Sequence, residues 1–180
     1  MRLETERLML RSWEERDRVP LARVLGDPEV RRFYPKALSF EGASAQFDAV
    51  LGKQAERGFH FGAAELKADG SFVGMVGLGY LADIMRDAIP GRPEVEIGWQ
   101  FDKAFWGRGL APEAAKAWLA HGVETLGLGE IVAFTYEGNH PSRRVMEKIG
   151  MLRDPAGDFP HPTLPPGHPL RPHVLYRVRR

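Results

Sequence analysis

The chain has 180 residues, 43% hydrophobic and 27% charged, with a formal net charge of +1, the size and make-up of one globular domain. So even a balance leaves no basic field to hold a nucleic-acid backbone, and the absence of cysteine removes disulfides, thiol nucleophiles and thiolate metal sites. No apolar run reaches the roughly 7–15 residues of a secretory leader or the roughly 20 of a membrane helix, which points to a cytoplasmic protein without a membrane partner.

In chain order, Arg7–Arg11 reads as a first strand. From Glu14 to Gly26 the apolar residues take helical spacing, with Val19, Ala22, Val24 and Leu25 expected inside. Asp27-Pro28 opens a second short helix, and Ser39–Arg57 a longer one with Ala43, Phe47, Val50 and Leu51 on its buried side. The period then changes to that of strands: Phe59–Lys67 and Phe72–Tyr80 flank Asp69-Gly70, a hairpin turn whose residues tolerate positive φ. Residues 83–93 are rich in charges and turn formers and read as an exposed connection. Glu94–Phe101 is a further strand. After it come a glycine-rich turn, a helix over Pro112–Leu126, a strand over Glu130–Tyr136 and a helix over Ser142–Ile149. Six prolines between Asp154 and Pro172 resist helix and central strand, so that stretch reads as a loop before a final strand at His173–Val178. No repeat or linker divides the chain. The mixed order of hairpins and a strand-helix-strand unit implies one α/β (α+β) domain over residues 1–180.

Gly107, Gly109 and Ala111 stand between a strand and a helix, where small residues let backbone N–H groups and the helix dipole meet an anion; Arg108 adds charge at the rim. The anion is not a Walker-type phosphate, because Leu110-Ala111 stands where Lys-Ser/Thr is needed, nor a dinucleotide, because Pro112 stands where the third glycine or alanine belongs. In the preceding strand Glu94, Glu96, Gly98 and Gln100 share one face. Two carboxylates on a central strand suggest a wet cleft in which Glu96, nearer the turn, could take a proton. Asn139 is a natural N-cap for the helix containing Pro141 and Ser142. The six histidines show no close pair on one helix, so no metal is expected.

The stretch VEIGWQFDKAFWGRGLAPEA followed by NHPSRRVMEKIGM, with the opening TERLMLRSWEERD, resembles the GNAT superfamily of acetyltransferases. Within it, these residues are similar to the branch typified by ribosomal-protein N-terminal acetyltransferases. The resemblance implies a mixed, mostly antiparallel sheet of six to seven strands, splayed after Phe101 and flanked by helices, with acetyl-CoA in the split. It implies pyrophosphate on the amides of Gly107, Arg108, Gly109 and Ala111, and pantetheine paired with backbone near Phe101. Asn139 and Ser142 would line the thioester, Arg144 would reach the nucleotide end, and Ser142 would be the proton donor. The residues themselves leave the base as Glu96, Glu94 or a water. The acceptor would be a primary amine, on a small molecule or a protein N-terminus, attacking in a ternary complex; a homodimer stays open. Trp106 stands where the superfamily carries glutamine or arginine, so a side-chain phosphate contact from there is not expected. The rival reading is a catalytically silent acyl-CoA-binding module, for which Glu96 and Ser142 would have no use.

Overall fold

The computed structural model describes residues 1–56 and 59–180, with side chains for all of these except residues 53–56. Nine strands form one sheet: β1 (Arg2–Glu4), β2 (Leu8–Arg11), β3 (Gly62–Leu66), β4 (Phe72–Tyr80), β5 (Val95–Phe101), β6 (Glu130–Tyr136), β7 (Leu152–Arg153), β8 (Phe159–Pro160) and β9 (Pro172–Arg179). Their order is β1-β2-β3-β4-β5-β6-β9-β7, with β8 also paired to β9. Every pairing is antiparallel except β5 with β6. The count exceeds the expected six to seven because β1, β7 and β8 are edge strands of two or three residues, too short for a periodicity to register.

The helices are α1 (Arg18–Gly26), α2 (Phe40–Glu56), α3 (Asp83–Ala88), α4 (Leu110–Ala120) and α5 (His140–Lys148). On one face of the sheet, Leu110, Ala114, Ala115 and Trp118 of α4 and Met146 of α5 pack on Leu78, Ile97, Phe101, Ile131 and Tyr176. On the other, Leu21 and Leu25 of α1 and Ala43 and Phe47 of α2 pack with Trp13 on Ala63 and Met75. Covering both faces explains why seven consecutive residues of β4, Val73–Gly79, are buried. Arg11, only 8% exposed, ties the sheet to the chain before α1. Its guanidinium takes Asp17 in a fork at 2.7 and 2.8 Å and Glu65 at 2.9 and 2.5 Å.

Three expected elements come out differently. Asp27-Pro28 starts no helix: residues 28–35 form successive turns, with the Arg31 N–H donating to the Asp27 carbonyl and the Tyr34 N–H to that of Arg31. So short a stretch cannot repay helix nucleation by itself, and its side chains are drawn instead onto β5 and β6. Within 83–93 the charges hide a one-and-a-half-turn helix, α3, whose Met85 and Ala88 rest on Val132, Phe159 and Leu175. Val19 is 64% exposed while Leu21 takes the inner position, because Glu15–Asp17 form a 3-10 turn that rotates the start of α1. The long helix was expected through Arg57, a residue outside those described. The helix after the glycine turn starts at Leu110, earlier than expected, and ends in a π-helical turn over His121–Thr125.

Candidate active site

The site begins where the sheet stops being continuous. The parallel strands β5 and β6 pair at a single position, Glu96↔Val132, so they diverge just past Glu96, five residues before the expected point. Hydrogen bonds from Asp102 to Val73 and from Leu81 to Glu94 flank the β4–β5 ladder. Antiparallel alternation therefore turns the backbone groups of Ile97, Trp99 and Phe101 away from β4, towards the split. The Phe101 carbonyl accepts the Trp106 indole N–H at 2.9 Å. That bond gives Trp106 a structural task, pinning the end of β5 to the turn that follows.

Both helices that follow the diverging strands begin at the open end of the split. Gly109 is the N-cap of α4 at φ 76°, and Gly107 stands at φ 74°; only glycine enters this left-handed region at low cost. A Cβ on Gly107 would meet nothing within 4 Å, so the backbone conformation, not crowding, calls for glycine there. Gly107, Arg108 and Gly109 are exposed and Ala111 is half-buried, which leaves the first amides of α4 accessible beside the split. An anion placed there meets the unpaired donors and the positive end of the helix dipole. Pro112 has no N–H to lose at this point of the helix.

Across the split, Asn139 caps α5: its Oδ1 accepts the Ser142 N–H at 3.3 Å and its Nδ2 donates to Thr135 Oγ1 at 2.8 Å. Asn139 is 9% exposed, Ser142 is half-buried, and Arg144, two residues further along α5, is exposed. The sequence-derived set thus falls into two groups at adjacent helix starts: Phe101, Gly107, Arg108, Gly109 and Ala111 on one side, Asn139, Ser142 and Arg144 on the other. Glu96 stands apart, where β5 and β6 still pair. Its side chain lies on the sheet face away from α4, with Gly98 and Gln100. Glu94 is exposed, whereas Glu96 is half-buried.

Sequence reasoning passed over several residues. Glu113, in the first turn of α4, accepts the Thr5 hydroxyl at 2.5 Å, the Arg7 N–H at 2.9 Å and the Arg7 Nε at 2.7 Å. Burial pulls the Glu113 carboxyl upward, but these donors outweigh it and hold it below the usual range. Arg7 also donates to the Arg108 carbonyl at 2.9 Å. The amino-terminal segment thereby grips the glycine turn from behind. The 27–36 segment covers the other side: Arg31 and Tyr34 reach Gln100, Phe33 lies 6.0 Å from Tyr136, and Arg32 stacks 4.9 Å from the Trp106 ring. The family motif TERL contains Thr5 and Arg7, but nothing in one sequence says that they reach Glu113.

The late histidines do gather in part: the His161 and His173 rings are 4.8 Å apart, beside Phe134 and Phe159. Burial lowers His173 to about 4, so it is a neutral packing group at neutral pH. Among the described residues, a surface hollow of about 560 Å³ lies against this tail, lined by Asp158, His168 and His173. Another, about 660 Å³, lies at the β1 edge near Arg11 and Glu65, away from the split.

Known proteins share this fold. The family model described as an acetyltransferase (GNAT) domain matches residues 7–152. The uncharacterized N-acetyltransferase YnaD of Bacillus subtilis is 31% identical over 155 residues, covering 86% of this chain and 84% of its own. An acetyltransferase of the GNAT family from Bacillus anthracis, known from its crystal structure, superposes with a TM-score of 0.80 at 26% identity, over 99% of this chain and 98% of that one. The ribosomal L7/L12 alpha-N-protein acetyltransferase RimL, solved with coenzyme A, superposes at 0.73 over 99% and 98%. At 16% identity that last likeness is one of fold.

Proposed function

Because the chain belongs to the GNAT acetyltransferase family and so is an acetyl-CoA-dependent acetyltransferase, we propose that it moves the acetyl group onto a primary amine by direct attack in a ternary complex. The observation that carries this is the split between β5 and β6, flanked by two helix starts, with a carboxylate at its closed end. The whole of residues 1–180 acts in this reading as one N-acetyltransferase domain working in the cytoplasm. Its acceptor is an amine on a small molecule or a protein N-terminus, the latter suggested by the fold shared with RimL.

The residues present suit acetyl-CoA. The amides of Gly107, Arg108, Gly109 and Ala111 would hold the pyrophosphate, with nothing within 4 Å of where a Gly107 side chain would start and Arg108 at the rim. Backbone groups of Trp99 and Phe101 facing the split would take the pantetheine as an added strand and polarise the carbonyl to be attacked. Arg144 would meet the nucleotide end. When bound, acetyl-CoA supplies an acyl group already activated as a thioester.

Amines of this kind hold their proton up to pH about 8–10, so a base is needed at neutral pH. Glu96, half-buried at the closed end of the split, removes that proton directly or through a water. Ser142, held at the start of α5 by the Asn139 cap, gives its hydroxyl proton to the sulfur as the C–S bond breaks and recovers one from the nitrogen as the amide forms. Calorimetry should show coenzyme A binding to wild type and to Glu96→Gln alike. Thiol release with an amine panel should fall at least about a hundredfold in Glu96→Gln at pH 7; unchanged release would remove Glu96 from the reaction.

A further inference from the structure

The 27–36 segment bridges the split on the face that carries Glu96. Lys103 anchors its start through Asp27 at 2.8 Å and Glu29 at 3.6 Å, and Phe33 rests near Tyr136 at the end of β6. Between them Arg31 lies with its guanidinium 3.8 Å from the centre of the Tyr34 ring. It donates to the Gln100 Oε1 at 3.4 Å and to the Lys36 carbonyl at 3.3 Å, both long for hydrogen bonds. Gln100 in turn donates to the Tyr34 hydroxyl at 2.7 Å.

Like Arg143 and Arg171, Arg31 makes no ion pair among the described residues; what sets it apart is its reach to Gln100 on the β5 face that carries Glu96. Arg7, Arg11 and Arg18 each meet carboxylates within 3.0 Å, whereas no carboxylate among the described residues lies within 4 Å of Arg31. Burial disfavours its charge and lowers its pKa, with Tyr34 the one opposing influence. A guanidinium has five donors, and here most remain unused in a half-buried place. Such a group gains most from an anion brought by a ligand.

The place of that anion follows from Gln100, which Arg31 reaches at 3.4 Å and which shares its strand face with Glu96. Burial raises the Tyr34 phenol; Arg31 draws it down and Glu96 pushes it up, so the phenol stands in the field of both. Arg31 thus lies over the Tyr34 ring, and Glu96 is near enough to act on its phenol. An amine beside Glu96 and an anion beside Arg31 would match this charge pattern.

We propose that Arg31, steadied by Tyr34 and Gln100, seats a carboxylate of the acceptor, so that the substrates of this enzyme are amines that also carry that anion. This rests on the acetyltransferase reading above, with Glu96 at the amine. The carboxylate belongs either to a free amino acid or to an acidic side chain near a protein N-terminus.

The test is steady-state CoA release by the full chain with matched acceptors. Each L-amino acid is compared with its carboxamide, and tripeptides with Glu as second residue are compared with the same tripeptides carrying Gln. In wild type the anionic member should be favoured by about tenfold to a hundredfold in kcat/KM. Arg31→Gln should bring that ratio near unity, chiefly through loss of kcat/KM for the anionic member. Arg31→Lys should retain part of the preference. An effect in the amino-acid pairs assigns the carboxylate to a free amino acid; an effect in the tripeptides alone assigns it to a protein N-terminus. The proposal is overturned by a wild-type ratio of one or below, by turnover with no member although acetyl-CoA binds, or by an Arg31→Gln effect confined to the acetyl-CoA KM. Absence of acetyl-CoA binding by calorimetry would instead remove the underlying reading, and this proposal with it.

Discussion

Gly107 and Gly109 owe their identity to φ angles of 74° and 76°, and one sequence already pointed to them because small residues cluster at a helix start. The structure adds that the constraint at Gly107 is torsional. A valine there would have room but would sit in a backbone region that costs L-residues roughly 1–2 kcal/mol. The turn is expected to relax and its amides to turn away, so Gly107→Val should weaken coenzyme A about tenfold by calorimetry, with little change in thermal midpoint. Trp106 shows the opposite relation between sequence and role. Its exposure of 38% marks it as a surface aromatic, and only the bond from its indole N–H to the Phe101 carbonyl reveals what it secures.

Among elements, α4 and the chain entering β2 form one unit, joined through Glu113, Thr5 and Arg7 across 106 and 108 positions of sequence. Glu113 sits in the first turn of α4, where an acid favours the dipole, and its partners lie far away in sequence. Arg7 acts through the Arg108 carbonyl and touches no reacting atom, so it is a positioning residue. Arg7→Ala should raise the KM for acetyl-CoA severalfold with kcat at saturation nearly unchanged, and Arg7→Lys should recover part of the loss. Equal loss in kcat alone would mean that the turn is held without it. The short α3 belongs to the same scale. Half of its six residues are charged, and what makes it a helix is the seat its Met85 finds on the core around Val132 and Phe159, which is invisible to local propensity.

For the molecule as a whole, the carboxy-terminal segment closes the sheet by laying β9 between β6 and β7 and packing Phe159, His161 and His173 together. Burial lowers His173 to about 4 from 6.5 and moves His161 in the same direction. The unfolded chain therefore binds protons below pH 6.5 that the folded chain refuses, and stability contributed by these rings is full above that pH and lost as pH falls. Thermal midpoints should decline from pH 6.5 towards pH 5, above the range in which most carboxylates titrate, and His173→Phe should flatten that decline. A flat wild-type profile over this window would mean that the segment opens readily enough to protonate.

The sequence by itself determined what depends on neighbours along the chain. This covers the strands Phe72–Tyr80 and Glu130–Tyr136, the Asp69-Gly70 turn, the glycine turn before α4, and Asn139 as the cap of α5. These are set by side-chain period, turn torsions and capping, all of which act over a few residues. Tertiary structure decided where β5 and β6 part, which residues grip the turn from behind, and that the 27–36 segment carries Arg31 to Gln100 instead of forming a helix. Each of these joins groups far apart in sequence, where contact is settled by packing of the whole chain and leaves no local pattern to read.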